Sequence, residues 1–383
     1  MTSRRNFLRI AGTSAVILAA GAAGLTQCDP MPDAAVEAWK GPLPSVRDPR
    51  VRALSFALLA PNPHNMQPWI ADLREPGAIT FFCDRSRLLP ETDPYSRQIT
   101  IGCGAFLELL RMGAAQQGFR AEFVYFPAGE WPEGAVGEQP LCRVSFVADP
   151  GGARDPLFAH VLARRTNRGG YEQALAEPAA RSITSSISYL PVNFSWTADP
   201  AFVQRLRNHA RQGWRIETGK DSTYFESVKV YRLTGEEILK HRDGLSFHGP
   251  FFWWMNKFGL FTQERALTGD AMLRQQSIDF IDGQLEKTPS FGWLVTSGND
   301  RRTQLSAGAA YVRVNLQATA LGLSVGPLSQ VLQEFPEMLP LLAENKKLLG
   351  VPDSNTVQMF FRIGSGAGVE PAPRRPLDAI IRS

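Results

Sequence analysis

Residues 164 to 168 read Arg-Arg-Thr-Asn-Arg. Three guanidiniums and a hydroxyl within five residues cannot enter an apolar core without anionic partners, so a fold must turn this segment toward water or toward a negatively charged group. In an extended segment Arg164, Thr166 and Arg168 point to one side. A guanidinium presents a planar fork of donors that matches a phosphate, and a hydroxyl adds another. Two readings stand here: a solvated basic patch, or a grip on an anion.

The sequence on either side echoes itself. Gly104-Ala105 and Gly308-Ala309 lie 204 residues apart, and the same offset carries Ala114 onto Ala318 and Gly118 onto Gly322. Both stretches read as helices, over residues 100–117 and 303–321, each closed by a glycine. Small residues on both would let two backbones approach closely. A duplicated unit folded as an internal pseudo-dimer is the physical consequence. With 383 residues, 44% of them hydrophobic and 20% charged, the chain can build such a pair.

The expected division is a leader over 1–27, a linker over 28–50, a first half over 51–150 and a second half over 151–383. The second half carries an aromatic-rich insert at about 213–270. Ser3-Arg4-Arg5-Asn6-Phe7-Leu8 precedes an apolar, small-residue run over 10–25. Adjacent arginines before a mild apolar run read as a twin-arginine export signal, which places the mature protein in the periplasm or on the outer face of the inner membrane. The competing reading is a cytosolic protein with an apolar tail. Leu25-Thr26-Gln27-Cys28 partly matches a lipoprotein box, although Gln27 stands where a small residue is expected. Membrane attachment through Cys28 therefore stays open. Three of the four excess positive charges are Arg4, Arg5 and Arg9, so the body of the protein is not a nucleic-acid binder. Cys83, Cys103 and Cys142 form no Cys-x-x-Cys pair and read as buried thiols, with any disulfide unassigned. Five histidines without ligand spacing argue against a metal site.

Along the chain, residues 52–59 read as a helix that stops before Pro61. Residues 60–69 form a proline-held polar loop containing Asn62, His64, Asn65 and Gln67. Strands are expected over 78–83, 119–126, 141–147, 182–196, 291–297 and 358–363. Helices are expected over 200–217 and 226–240, and over 332–349 with breaks at Pro336 and Pro340. Phe251, Phe252, Trp253, Trp254, Met255, Phe258 and Phe261 crowd one short stretch. Such density serves as core filler, as a lid over a flat ligand, or as a contact with a membrane or partner.

Three segments together resemble the flavin-dependent nitroreductases, most closely the fused two-half, Acg-type members. Arg164, Arg165, Thr166 and Arg168 resemble that family's Arg-Arg-Ser/Thr-x-Arg segment, and Ala60-Pro61-Asn62-Pro63-His64-Asn65-Met66-Gln67-Pro68-Trp69 its Ala-Pro-Ser-x-x-Asn-x-Gln-Pro-Trp loop. Asn62 replaces the usual serine. Arg374 and Arg375 resemble its C-terminal basic pair. The resemblance implies an α+β nitroreductase-like fold of two related halves and one FMN per chain. The arginines and Thr166 would hold phosphate and ribityl, with Asn62, His64, Asn65 and Gln67 reaching across from the other half. The turn at Pro327, Leu328 and Ser329 would lie by the flavin ring, with Ser329 where simple nitroreductases carry glutamate. Phe252, Trp253 and Trp254 would form a lid or pocket wall.

No side chain is expected to act as a catalytic nucleophile, and no Gly-x-Gly-x-x-Gly supports a Rossmann domain. The implied activity is reduction of flat, electron-poor acceptors such as nitroaromatics or quinones, with NAD(P)H or another electron donor. The alternatives are a non-catalytic protein that sequesters FMN or senses redox state, and a structural protein with a degenerate site.

Overall fold

The computed structural model describes residues 29–132 and 134–382; the segment expected to be an export signal, and Cys28, lie outside them. The chain enters through a short helix, α1 (Asp33–Val36), and a 3-10 turn, Glu37–Lys40. The linker thus carries structure, and its Trp39 is buried.

The first half runs α2 (Pro49–Ala57), β1 (Trp69–Asp72), β2 (Ala78–Cys83), α3 (Arg97–Gln116), β3 (Phe119–Tyr125) and β4 (Cys142–Ala148). The second opens with β5 (Tyr171–Ala174), α4 (Glu177–Ser186), β6 (Asn193–Thr197) and α5 (Pro200–Gly219). The insert follows as α6 (Asp221–Lys229), β7 (Tyr231–Arg232), α7 (Gly235–His241), β8 (Leu245–Ser246), α8 (Pro250–Lys257), α9 (Gln263–Leu267) and α10 (Ala271–Glu286). The second half then closes with β9 (Phe291–Ser297), α11 (Arg301–Ala320), β10 (Ser324–Pro327), α12 (Leu339–Leu348), β11 (Asn355–Gly366) and β12 (Ile381–Arg382).

Two five-stranded sheets result, ordered β12-β1-β2-β4-β3 and β10-β11-β9-β6, with β5 also paired to β11, and β7 and β8 form a separate parallel pair. In the second sheet β9 alternates between two cores. Phe291, Trp293 and Val295 pack with Val203 and Leu206 of α5, while Leu294 joins Ala307 and Tyr311 of α11. Burial on both faces explains why β9 is apolar along nearly its whole length.

The pseudo-dimer is seen most directly in α3 and α11. Their bounds differ by 204 residues at both ends. Asp93 accepts the first-turn amides of Gln98 and Ile99, and Asp300 accepts that of Thr303. Each helix ends before a glycine in the left-handed region, Gly118 (φ 78°) and Gly322 (φ 69°). A Cβ on Gly104 would overlap the carbonyl oxygen of Leu305, and one on Gly308 that of Ile101. Residues 101 and 104 thus meet 305 and 308 reciprocally, as a two-fold axis requires. Arg97 reaches across to the Leu332 carbonyl and Glu334, and Arg301 reaches back to Thr100 and the Ala135 carbonyl. Strand β12 adds in parallel to β1, so the chain's last residues complete the first sheet.

Three expected elements differ. Residues 182–186 belong to α4: Glu177-Pro178 starts a helix whose Ala180 and Ile183 face the core, and the strand begins only at Asn193. The helix expected over 226–240 is two helices around β7, because Thr234 caps α7 by accepting from the Glu237 amide. Pro340 starts α12 rather than breaking a helix.

Candidate functional site: an arginine cluster without carboxylates

The arginine segment lies where the end of α2, the linker and the C-terminal strap converge. Arg164 is only 2% exposed, and its Nη2 donates to the Leu59 carbonyl at 3.0 Å. Arg374, also buried, donates to the carbonyls of Leu58 (3.0 Å) and Leu59 (3.1 Å) and to Asn65 Oδ1 (2.9 Å). The Trp39 ring lies under three guanidiniums, at 4.4 Å from Arg165, 5.0 Å from Arg374 and 5.4 Å from Arg164. Thr166 Oγ1 is 3.5 Å from Arg164 Nη1.

Among the described residues, Arg164, Arg165, Arg168, Arg362 and Arg374 form no ion pair with a carboxylate; the guanidinium contacts are to carbonyls, neutral side chains and aromatic rings. Burial lowers the Arg164 guanidinium to about 10. Burial first, then the charges of Arg164 and Arg165, also depresses the pKa of Arg374. Concentrated, partly desolvated positive charge is costly unless an anion completes it. The buried Nε atoms of Arg164 and Arg362 have no hydrogen-bond partner. This donor set fits a phosphate-bearing group.

The 60–69 loop of the first half contacts residues of the second, mostly as a scaffold. His64, Asn65 and Gln67 all take positive φ (48°, 53° and 50°), a conformation that non-glycine residues hold only when their surroundings enforce it. Gln67 is fully buried: Nε2 donates to the carbonyls of Asn65 and Arg242, and Oε1 accepts the Arg375 amide. Asn62 Oδ1 accepts the Gln67 amide. Asn65 is spent on Arg374 and the Pro373 carbonyl. These amides therefore position Arg374 and Arg375 instead of standing free. Arg375 bonds the Gln67 and Ala379 carbonyls. His64 Nε2 lies 2.9 Å from Ser227 Oγ; burial, then the nearby Arg168 charge, lowers its pKa to about 4, so it is neutral at pH 7.

The turn at Pro327, Leu328 and Ser329 adjoins the same segment. The Asn167 amide donates to the Val325 carbonyl at 3.0 Å, and a Cβ on Gly326 would crowd the Asn167 carbonyl. Arg362, within β11, holds the carbonyls of Asn167 (3.2 Å) and Gly169 (2.9 Å) while stacked on Tyr171. Arg362 and Trp39 are the residues that sequence reasoning missed. A lone arginine inside Gln-Met-Phe-Phe-Arg-Ile was the available signal for the first.

The insert meets this region at several points, the contacts of His64 with Ser227 and of Gln67 with Arg242 among them. Arg168 and Tyr231 are close enough for their charges to interact, and Tyr231 contacts Phe247 (5.0 Å between centroids), which contacts Phe252 (5.4 Å). Trp253 and Trp254 pair edge to face at 4.6 Å, and their other ring contacts are with Lys257 and Phe258, not with the arginines. No cluster of potential metal ligands occurs among the described residues.

The fold is an α+β pseudo-dimer with a carboxylate-free arginine cluster at the junction of its halves. Residues 174–365, half of the chain, match the family model described as Nitroreductase family, and the chain belongs to that family. It is 27% identical over 347 residues to a Mycobacterium tuberculosis protein named "Putative NAD(P)H nitroreductase acg", covering 86% of this chain and 93% of that one. A second M. tuberculosis protein, named "Putative NAD(P)H nitroreductase Rv3131", is 26% identical over 344 residues, covering 86% and 89%. A crystal structure of a nitroreductase with bound FMN from Bacteroides fragilis aligns with a TM-score of 0.34 at 13% identity, covering 58% of this chain and 94% of that one.

Proposed function

We propose that the chain is an FMN-dependent oxidoreductase that reduces flat, electron-poor acceptors of the nitroaromatic or quinone type, with NAD(P)H or another donor supplying electrons. The observation that carries this reading is the carboxylate-free cluster of Arg164, Arg168 and Arg374 beside the 60–69 loop. Family membership and the name of the acg relative support it.

Bound FMN would supply the hydride or single-electron chemistry. Arg164, Arg374 and Arg168 would hold its phosphate, and Thr166 its ribityl side. Asn65 and Gln67 keep the arginines in place. Backbone amides of the 327–329 turn would offer donors to negative charge developing on the ring. Phe252, with Phe247 and Tyr231, would exclude water from one edge, and Trp253 and Trp254 would extend that wall.

A second reading, a protein that holds FMN without turnover, is favoured by one residue: Ser329 replaces the glutamate of simple nitroreductases. The reading also includes export by the twin-arginine route to the periplasm, where NAD(P)H is scarce and a different donor would serve. The test is purified full-length protein. One FMN per chain, together with reoxidation of the reduced flavin by a nitroarene or quinone within seconds, is the expected result. Bound flavin that is never reoxidised by either acceptor would select the holding protein. A colourless preparation that takes up no FMN would sink both readings.

A further inference from the structure

Helix α8 has no buried residue. Phe251 and Phe258 are 57% and 61% exposed, and with Trp254 they occupy one face at i, i+3 and i+7. Trp254 stacks on Phe258 at 5.4 Å, while Phe252 turns inward to Phe247 and Phe261. The exposure extends to neighbouring helices: among the described residues, six of the twelve exposed large apolar side chains lie between residues 239 and 280. An apolar field concentrated in one insert marks a surface that something covers.

The path of the chain identifies the occupant. Asp29, the first described residue, is pinned at the entry of this helix: its carbonyl accepts the amide of Gly249, the N-cap of α8, and its carboxylate accepts the amide of Gly235. The residues before it include the uncharged apolar run 10–25. Asp29 thus leads the chain that precedes it away from a point beside the exposed aromatic face. No aspartate or glutamate occurs from residue 244 to 263, and Lys257 lies over the Trp253 ring. Aromatic rings with a flanking lysine suit the boundary between lipid headgroups and acyl chains, and Glu370, the acid at the start of the helix, is paired with His248. No helix among the described residues is long and apolar enough to cross a membrane.

We infer that α8 docks in the plane of a lipid bilayer surface, through Phe251 and Phe258, with the N-terminal apolar run tethering the chain at the same point. The anion-gripping cluster is at the opposite end of the Phe252–Phe247–Tyr231 contact chain, so the inference does not depend on FMN.

The test uses the full chain on vesicles of phosphatidylethanolamine and phosphatidylglycerol with brominated acyl chains. The parent should float with the vesicles, and its tryptophan emission should be quenched by bromine. Phe251→Ser/Phe258→Ser, which leaves the arginine cluster intact, should keep its flavin content while the lipid-docked fraction of the helix falls roughly tenfold. Flotation without quenching would show that only the tether meets lipid and would overturn the inference. Equal quenching in parent and variant, or failure of the parent to float, would do so as well. Lipid-free self-association that the double substitution abolishes would assign the face to a second copy of the chain and overturn it too. Flavin content, read on the same samples, separates failure here from failure of the flavin reading.

Discussion

Arg164 and Arg168 sit one residue apart from Thr166 yet meet different surroundings. Arg164 is buried and shares the Leu59 carbonyl with Arg374, whereas the Arg168 side chain is open to solvent. Arg168→Ala is thus the cleaner probe of the anion grip. A charged hydrogen bond contributes about 1.5–3 kcal/mol, so FMN affinity should fall roughly ten- to hundred-fold, read by recovery of free-flavin fluorescence on dilution. Arg374→Ala should weaken binding at least as much, since it also releases Asn65 and the end of α2. Unchanged dissociation constants in both variants would remove the site.

A second residue-scale prediction concerns Glu217. Burial raises its carboxyl from 4.5 to about 7, opposed by a hydrogen bond from Gln333 and reinforced by the nearby Glu226. Its contribution to stability is complete below pH 4.5, where folded and unfolded chains both hold the proton. Stability then declines as pH rises to about 7, because only the folded chain keeps the proton over that interval. Asp93 behaves alike up to about 6. His64 runs the other way, its contribution present above its ordinary 6.5 and lost as pH falls toward 4. Glu217→Gln should therefore be more stable than the parent at pH 8, by on the order of 1–3 kcal/mol, and nearly equal at pH 4.5. Urea unfolding at the two pH values measures this. Parallel pH profiles would mean that Glu217 titrates as a free carboxyl does.

Among the elements, α3 and α11 decide the architecture. Gly104→Ala and Gly308→Ala each push a methyl into the opposing backbone, which a side-chain rotation cannot relieve. Each should cost about 1–3 kcal/mol or more, measured as a drop in the urea midpoint without a change in slope. A near-neutral effect would show that the two helices stand farther apart. This pairing was legible in the sequence because backbone contact demands glycine, and glycine recurs at a fixed offset. The apolar runs at 78–83 and 291–297 were legible for a related reason, since strands of that composition have few alternatives. The failures had local causes. The serines and β-branched residues of 182–187 suit a strand by propensity, but Glu177-Pro178 and the spacing of Ala180 and Ile183 decide for a helix. Within the site, the arginines were visible as an unusual density of charge. Trp39 and Arg362 were not, because a single aromatic in a linker and a single arginine in a strand acquire meaning only when distant segments meet.

At the scale of the whole molecule, the site is assembled from the beginning, middle and end of the chain: Trp39, the 60–69 loop, Arg164 to Arg168, and Arg374. The last of these depends on the strap that carries β12 onto β1. A chain cut before Arg374 would therefore lack one arm of the cluster. The strap is thus also the part of the cluster most easily lost: a protease that clips between β11 and Arg374 would leave both sheets nearly whole, with the Trp39 ring and the Leu59 carbonyl stripped of one guanidinium.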